Sequence, residues 1–350
     1  MGWRDILERK YYADLLRVIA IIQVISIHVS SGFFGNVDLI DTYPWRVATI
    51  VDSISRTGVP IFIMISGMLL LDKNKNYDIK VFFKKRVSKI IIPFIFWGIF
   101  YFVKYGNKMN FEGIKKFILA LVTNNIFYHL PFMYIIIGLY LITPILNVFV
   151  KNATQKQLWY FEILCWIVGG VIPFINEVFK INIGIQIPMV GNMVGLFVLG
   201  YLLDNIKFNK KTRYAIYLLG AISILLTIVG TYYFSIKTGT ANQILYNNGG
   251  VNIIIIASSI FILCRQIYYK YKINDKFNII IANISKLSFG IYLIHVHIVL
   301  SLEQSKIPLL LPQYMPCTFY GLLMRVITVF IITYIIVYVI SKIKYLNKIV

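Results

Sequence analysis

The sequence predicts an all-α protein, a polytopic bundle of transmembrane helices. Of its 350 residues 59% are hydrophobic, only 14% are charged, and the mean hydropathy is +0.75. Soluble globular domains are about 45–50% apolar and about 25% charged. This composition therefore excludes an ordinary soluble enzyme. It also excludes a disordered chain, which could not keep 25 Tyr and 25 Phe in water.

Ten apolar segments approach the length of about 20 residues that a bilayer span requires. They are residues 12–33, 47–71, 87–105, 130–150, 158–176, 186–203, 214–235, 249–264, 279–300 and 318–341. The connections between them are too short to fold alone. We therefore predict a single integral-membrane domain over residues 1–350.

The distribution of basic residues predicts that both termini are cytoplasmic. The chain has 35 Lys and Arg against 14 Asp and Glu. With the N-terminus inside, 23 of the 35 fall in cytoplasmic segments and eight in outer segments. Basic inner loops face anionic lipid, so the lipid bilayer is the expected partner of these charges. Binding to nucleic acid is not expected. The outer loop that carries Lys115 and Lys116 is predicted to form a short amphipathic helix on the membrane surface.

The first span carries three ionisable residues, which are costly in lipid and are therefore functional candidates. Arg17 and His28 are eleven residues apart, so they lie within about 20° on one helix face and about 16 Å apart along it. Asp14 lies on the same stripe. Arg17 is thus predicted near the cytoplasmic mouth and His28 near or beyond mid-membrane. The alternative is a local Asp14–Arg17 ion pair, with His28 bonded to a neighbour.

Two further charged groups have both structural and functional explanations. Asp52 and Arg56 are four residues apart and predict a self-neutralising pair in the second span. Arg86 and Lys89 share a helix face at the inner membrane edge, beside Lys85. This basic cluster either reflects the positive-inside rule or binds the phosphates of a cytoplasmic anion.

The remaining polar candidates lie in later spans. His129 begins the fourth span on the outer side, and Ser288, Tyr292 and His295 share one face of the ninth. Taken singly, each is explained at least as well as a satisfied polar group. Neither the histidines nor the three cysteines have metal-ligand spacing, and there is no Gly-rich phosphate loop, so no metal is expected.

Five motifs in order along the chain resemble the acyltransferase-3 family of integral-membrane acyltransferases, of the surface-polysaccharide O-acetyltransferase type. They are residues 14–20 with Arg17 and His28, then 58–67, 83–93, 129–144 and 288–295. Two positions differ from the family pattern. Lys89 stands where a second Arg is common and cannot form the bidentate fork of a guanidinium. Pro131 stands where Trp is common.

The resemblance implies transfer of an acyl group, usually acetyl from acetyl-CoA, to a hydroxyl of a cell-surface glycan or another envelope molecule at a bacterial plasma membrane. Acetyl-CoA would be the acyl donor, with its phosphates held by Arg86, Lys89 and Lys85. Arg17 would extend this grip and Asp14 would orient Arg17. His28 would act as general base or as a transient acyl carrier. The expected acceptor or oxyanion side comprises Ser66, His129, Ser288, Tyr292 and His295.

A membrane transporter or flippase for a glycan or small polar metabolite is the main alternative. Such a protein would also place Arg, Asp and His around an internal cavity. A purely structural subunit would leave the stripe of Asp14, Arg17 and His28 without a purpose. An enzyme leaves an ester, whereas a transporter only relocates its substrate. The acceptor's identity, the acyl chain length and the oligomeric state are not encoded in these patterns.

Overall fold

The computed structural model describes residues 9–74, 77–187, 190–271, 273–304 and 318–350. These residues contain no strand and form thirteen α-helices. The helices are α1 Tyr11–Phe34, α2 Tyr43–Ser55, α3 Gly58–Leu70, α4 Ile79–Lys104, α5 Phe111–Val122, α6 Pro131–Asn152, α7 Gln155–Trp166, α8 Ile172–Phe179, α9 Asn192–Asn205, α10 Lys210–Thr238, α11 Val251–Lys270, α12 Asp275–Glu303 and α13 Phe319–Lys342. A π-helical turn, Ile167–Val171, joins α7 to α8. The predicted all-α polytopic bundle is confirmed.

The number of long spans differs from the sequence prediction. In the described ranges nine helical segments are long and apolar enough to cross a membrane, where ten were predicted. The sixth predicted span is α9, which has 14 residues and is only about 21 Å long. Its residues from Gly195 to Leu203 are all buried. A helix enclosed by protein need not match the bilayer thickness, and an apolar window cannot distinguish it from a full span.

The two ends of the described chain lie on the same side of the bundle. The Arg9 guanidinium is 3.5 Å from the carbonyl oxygen of Ala282, near the start of α12. At the other end, Val350 shares a cavity with Asn283 and Lys286 of the same part of α12. The predicted common side of the termini agrees with this arrangement, and the positive-inside rule predicts that this side is cytoplasmic.

Two glycines allow α3 and α9 to pack with their backbones in contact. A Cβ atom on Gly67 would lie 1.7 Å from the carbonyl oxygen of Phe197. A Cβ atom on Gly200 would lie 1.9 Å from that of Met64. In membranes such small residues let helices approach closely and gain van der Waals contact. This crossing places the short helix α9 at the centre of the bundle.

The second span bends where the sequence places Gly58 and Pro60. Helix α2 ends at Ser55 and α3 begins at Gly58. A Cβ atom on Gly58 would be 2.9 Å from the carbonyl oxygen of Ala20, so glycine permits α3 to start against α1. The predicted amphipathic surface helix is α5, which buries Gly113 and Phe117 and leaves most of its other side chains exposed.

Alanine at Gly67 or Gly200 is expected to destabilise the protein. Each added methyl group would overlap a backbone carbonyl that cannot move aside, and overpacking of this kind costs about 1–3 kcal/mol or more. Gly138→Ala is the matched control, because a Cβ atom there meets nothing within 4 Å. Thermal unfolding of the purified protein should show a lower Tm for the first two variants and an unchanged or higher Tm for the control. Equal Tm values for all three would contradict the close helix crossing.

Candidate functional site

A basic cavity of about 250 Å³ opens at the inner part of the bundle. It brings together six of the residues singled out in the sequence, which are Arg17, Ser66, Arg86, Lys89, Ser288 and Tyr292. Helices α1, α3, α4 and α12 each contribute at least one of them. The rest of the lining is largely apolar and aromatic. The Lys85 side chain lies outside the described part of the structure.

Arg17 is held at the cavity wall by a buried ionic network. Asp14 is 2% exposed, and its carboxylate accepts hydrogen bonds from Arg9 at 2.6 Å and from the Ser285 hydroxyl at 2.7 Å. The Arg17 guanidinium is 3.4 Å from both Asp14 and Ser285. The bond to Asp14 raises the pKa of Arg9, which precedes the first span. Sequence reasoning found the Asp14–Arg17 pair but not Arg9 or Ser285, because both lie outside the stripe on α1.

Three histidines form one cluster deeper in the bundle, here called the histidine cluster. His28 lies on α1, His295 lies on α12, and His129 lies in the turn before α6. The ring centroids of His28 and His295 are 5.0 Å apart, those of His129 and His295 are 5.7 Å apart, and those of His28 and His129 are 6.5 Å apart. His295 is fully buried, His129 is 5% exposed and His28 is partly buried. The sequence identified each histidine separately but gave no sign that they meet.

Hydrogen bonding fixes the tautomer of His295 and leaves nitrogen atoms of the cluster unpaired. The Nδ1 atom of His295 lies 2.6 Å from the Tyr292 carbonyl oxygen. Because a carbonyl oxygen only accepts, Nδ1 carries the proton and Nε2 carries a lone pair. Within the described residues, this Nε2 and both ring nitrogens of His129 have no hydrogen-bond partner. Buried polar atoms usually find partners, so these three unpaired nitrogen atoms make the cluster a candidate functional site.

Tyr292 connects the basic cavity to the histidine cluster. Its side chain lines the cavity, and its ring centroid is 5.8 Å from those of both His129 and His295. Its hydroxyl donates to the carbonyl oxygen of His129. The basic cavity and the histidine cluster therefore share one wall residue, and the eleven-residue step along α1 from Arg17 to His28 covers about 16 Å of this path.

The three hydroxyl groups proposed for the oxyanion side already donate to backbone carbonyls. Ser66 donates to Phe62 at 2.9 Å, Ser288 donates to Ser285 at 2.8 Å, and Tyr292 donates to His129. A hydroxyl that stabilises an oxyanion would have to break such a bond first. The unpaired nitrogen atoms of His129 carry no such cost, which makes this residue the better candidate donor.

The outer side of the histidine cluster is bordered by Tyr128, a residue that was not predicted from the sequence. Tyr128 is 56% exposed, and its ring centroid is 5.5 Å from that of His28. Ser31 and Gly32, one turn beyond His28 on α1, are also exposed. The cluster is thus bordered by a basic cavity on the inner side and by exposed groups on the outer side.

The second charged pair, Asp52 and Arg56, is an ion pair that packs beside Tyr246. Arg56 donates to Asp52 at 2.5 Å, as predicted, and Asp52 is fully buried. The Arg56 guanidinium also lies 4.1 Å from the ring centroid of Tyr246. In the described residues, no group of three or more His, Cys, Asp or Glu has the geometry to hold a metal ion.

The fold and the site together define a polytopic membrane protein in which a cation-lined cavity adjoins buried, unpaired imidazole groups. The family model described as Acyltransferase domain (Acyl_transf_3) matches residues 10–342. The chain therefore belongs to this family and is a membrane acyltransferase. No curated protein and no solved structure matches it.

Proposed function

We propose that the protein transfers an acyl group, in the first instance acetyl, from cytoplasmic acyl-CoA to a hydroxyl of a cell-surface glycan or another envelope molecule. One observation carries this proposal: a basic inner cavity, a histidine cluster and an exposed outer tyrosine follow one another through the bundle. Such an order suits a donor that arrives from the cytoplasm and an acceptor that arrives from the opposite side.

The basic cavity suits the donor. Coenzyme A is polyanionic at one end and carries its thioester at the other, separated by the pantetheine arm. Arg86 and Lys89 would bind its phosphates through charge-assisted hydrogen bonds, with Arg17 further in. The pantetheine arm would extend along the path of about 16 Å from Arg17 to His28, toward the histidine cluster.

The histidine cluster would supply the acid–base chemistry. A ring nitrogen of His28 takes the proton of the acceptor hydroxyl as its oxygen attacks the thioester carbonyl. The C–S bond then breaks, and the protonated imidazole returns the proton to the departing CoA thiolate. His295 has a lone pair at Nε2 and lies in the same cluster. It would position the His28 ring and the proton that His28 accepts. An N–H group of His129 would stabilise the oxyanion.

Inverted membrane vesicles supplied with labelled acetyl-CoA test the proposal. We expect base-labile label on extractable glycan with the wild type, and none with His28→Ala at equal expression, because that variant lacks the base. Label on the protein itself that is released by neutral hydroxylamine and lost in His28→Ala would identify His28 as the acyl carrier.

Equal glycan labelling by the wild type and His28→Ala would remove His28 from the chemistry. If neither labels, although the acceptor is shown to be present, the proposed donor and acceptor are wrong. Glycan that changes sides without forming an ester would instead favour a transporter.

Arg86→Ala is expected to weaken acyl-CoA binding without abolishing transfer. One charge-assisted contact is worth about 1.5–3 kcal/mol, which corresponds to a rise in KM for acetyl-CoA of roughly 10- to 150-fold. Lys80→Ala is the matched control, because Lys80 is exposed on the same helix and does not line the cavity. An unchanged KM for acetyl-CoA in Arg86→Ala, or an equal rise in Lys80→Ala, would exclude a specific phosphate contact at Arg86.

A further inference from the structure

A second cavity lies on the opposite side of the bundle from the basic cavity. Its volume is about 800 Å³, within the range of small-molecule sites. Its walls are α8, the segment after α10 and the start of α11. The lining residues are Gly170, Val171, Pro173, Phe174, Glu177, Thr240, Ala241, Asn242, Gln243, Ile244, Leu245, Asn247, Gly250, Val251 and Asn252.

An irregular helix shapes one wall of this outer cavity. Pro173 lacks an N–H group and its ring would clash with the carbonyl of Gly169, so the regular hydrogen bonding of α7 cannot continue into α8. The chain forms the π-helical turn Ile167–Val171 there instead. Such turns occur frequently at functional sites. A Cβ atom on Gly170 would lie 2.5 Å from the carbonyl oxygen of Gly249, so this wall is also fixed against the start of α11.

The lining combines apolar surface with neutral polar groups. Asn242, Gln243, Asn247 and Asn252 contribute side-chain amides, which both donate and accept hydrogen bonds. The amide oxygens of Asn242 and Asn247 already accept from backbone N–H groups, and the NH₂ group of Asn252 already donates to Thr227 and Leu245. The opposite end of each of these three amides could bind a ligand, and Gln243 could offer both ends. Of the described lining residues, none is Lys, Arg or His. The carboxylate of Glu177 accepts a hydrogen bond from Lys180 at 2.7 Å, which offsets its charge.

This chemistry selects one class of ligand. A saccharide has apolar ring faces and edges of hydroxyl or acetamido groups, which match the Phe174 ring and the amide side chains. Phe174 is 39% exposed and Gln243 is exposed, so both are available to a ligand. An anionic ligand would find no cationic side chain among the lining residues to offset the loss of its hydration.

We infer that the outer cavity binds a neutral saccharide and acts as a second subsite for the acceptor, remote from the reacting hydroxyl. The role as an acceptor subsite rests on the proposed function, whereas saccharide binding itself does not. Tyr246, which follows the lining residue Leu245, is buried with its ring 5.3 Å from that of Phe34. Phe34 is six residues beyond His28, or about 9 Å along α1. The cavity is thus offset from the histidine cluster, and an acceptor of several sugar units could reach both.

Saccharide binding can be measured without any acyl donor. The protein is reconstituted in lipid nanodiscs, free of sugar-based detergent, and titrated with two neutral trisaccharides, chitotriose and maltotriose. We expect saturable binding of at least one, with a Kd about tenfold or more higher in Phe174→Ala/Gln243→Ala. Gln304→Ala, at an exposed amide that follows α12 and does not line the cavity, is the matched control and should keep the wild-type Kd.

The outcomes separate this inference from the proposed function. Binding that is equally tight in His28→Ala supports the subsite whether or not transfer is observed. Gln243→Ala alone, at an exposed position, replaces the double variant if the latter unfolds. Absence of saturable binding, a Kd unchanged in the cavity variants, or displacement of the saccharide by dodecanol would overturn the inference, the last by showing that the cavity holds an alkyl chain.

Discussion

A charged side chain inside a membrane-spanning bundle must find its partner within the protein, and this constraint fixes the relative positions of the helices that build the site. Asp14 on α1 joins Arg9, Arg17 and Ser285, and the last of these lies on α12. Once α1 and α12 are joined at this level, His28 and His295 meet further along the same two helices. The ionic network thus positions the imidazoles without touching them.

The histidine cluster is one of the places in the described residues where buried polar atoms have no partner within the protein. Each buried nitrogen without a partner costs about 1–3 kcal/mol, and His295 and His129 together contribute three such atoms among the described residues. A site that binds a thioester carbonyl and a hydroxyl would satisfy these atoms when it is occupied. Under the proposed function, hydrogen bonds to the bound substrate would offset this cost in stability.

The sequence predicted features that depend on spacing within one helix. The stripe of Arg17 and His28, the Asp52–Arg56 pair and the shared face of Arg86 and Lys89 all follow from the helical period, and all fit the structure. It could not predict that His129 joins His28, because that contact links segments about 100 residues apart through tertiary packing alone. For the same reason, the sequence could not predict that Ser285 contacts Asp14. Similarly, the apolar window over 186–203 does not reveal that α9 is short, since enclosure by other helices replaces the need to span lipid.

A structure of the protein in nanodiscs with a non-transferable acetyl-CoA analogue tests the central claim most directly. We predict that the phosphates lie against Arg86 and Lys89, and that the acyl carbonyl carbon lies within about 4 Å of the His28 imidazole, a near-attack distance. An analogue bound instead in the cavity lined by Asn283, Lys286 and Lys342, or with its acyl end directed away from His28, would contradict the claim.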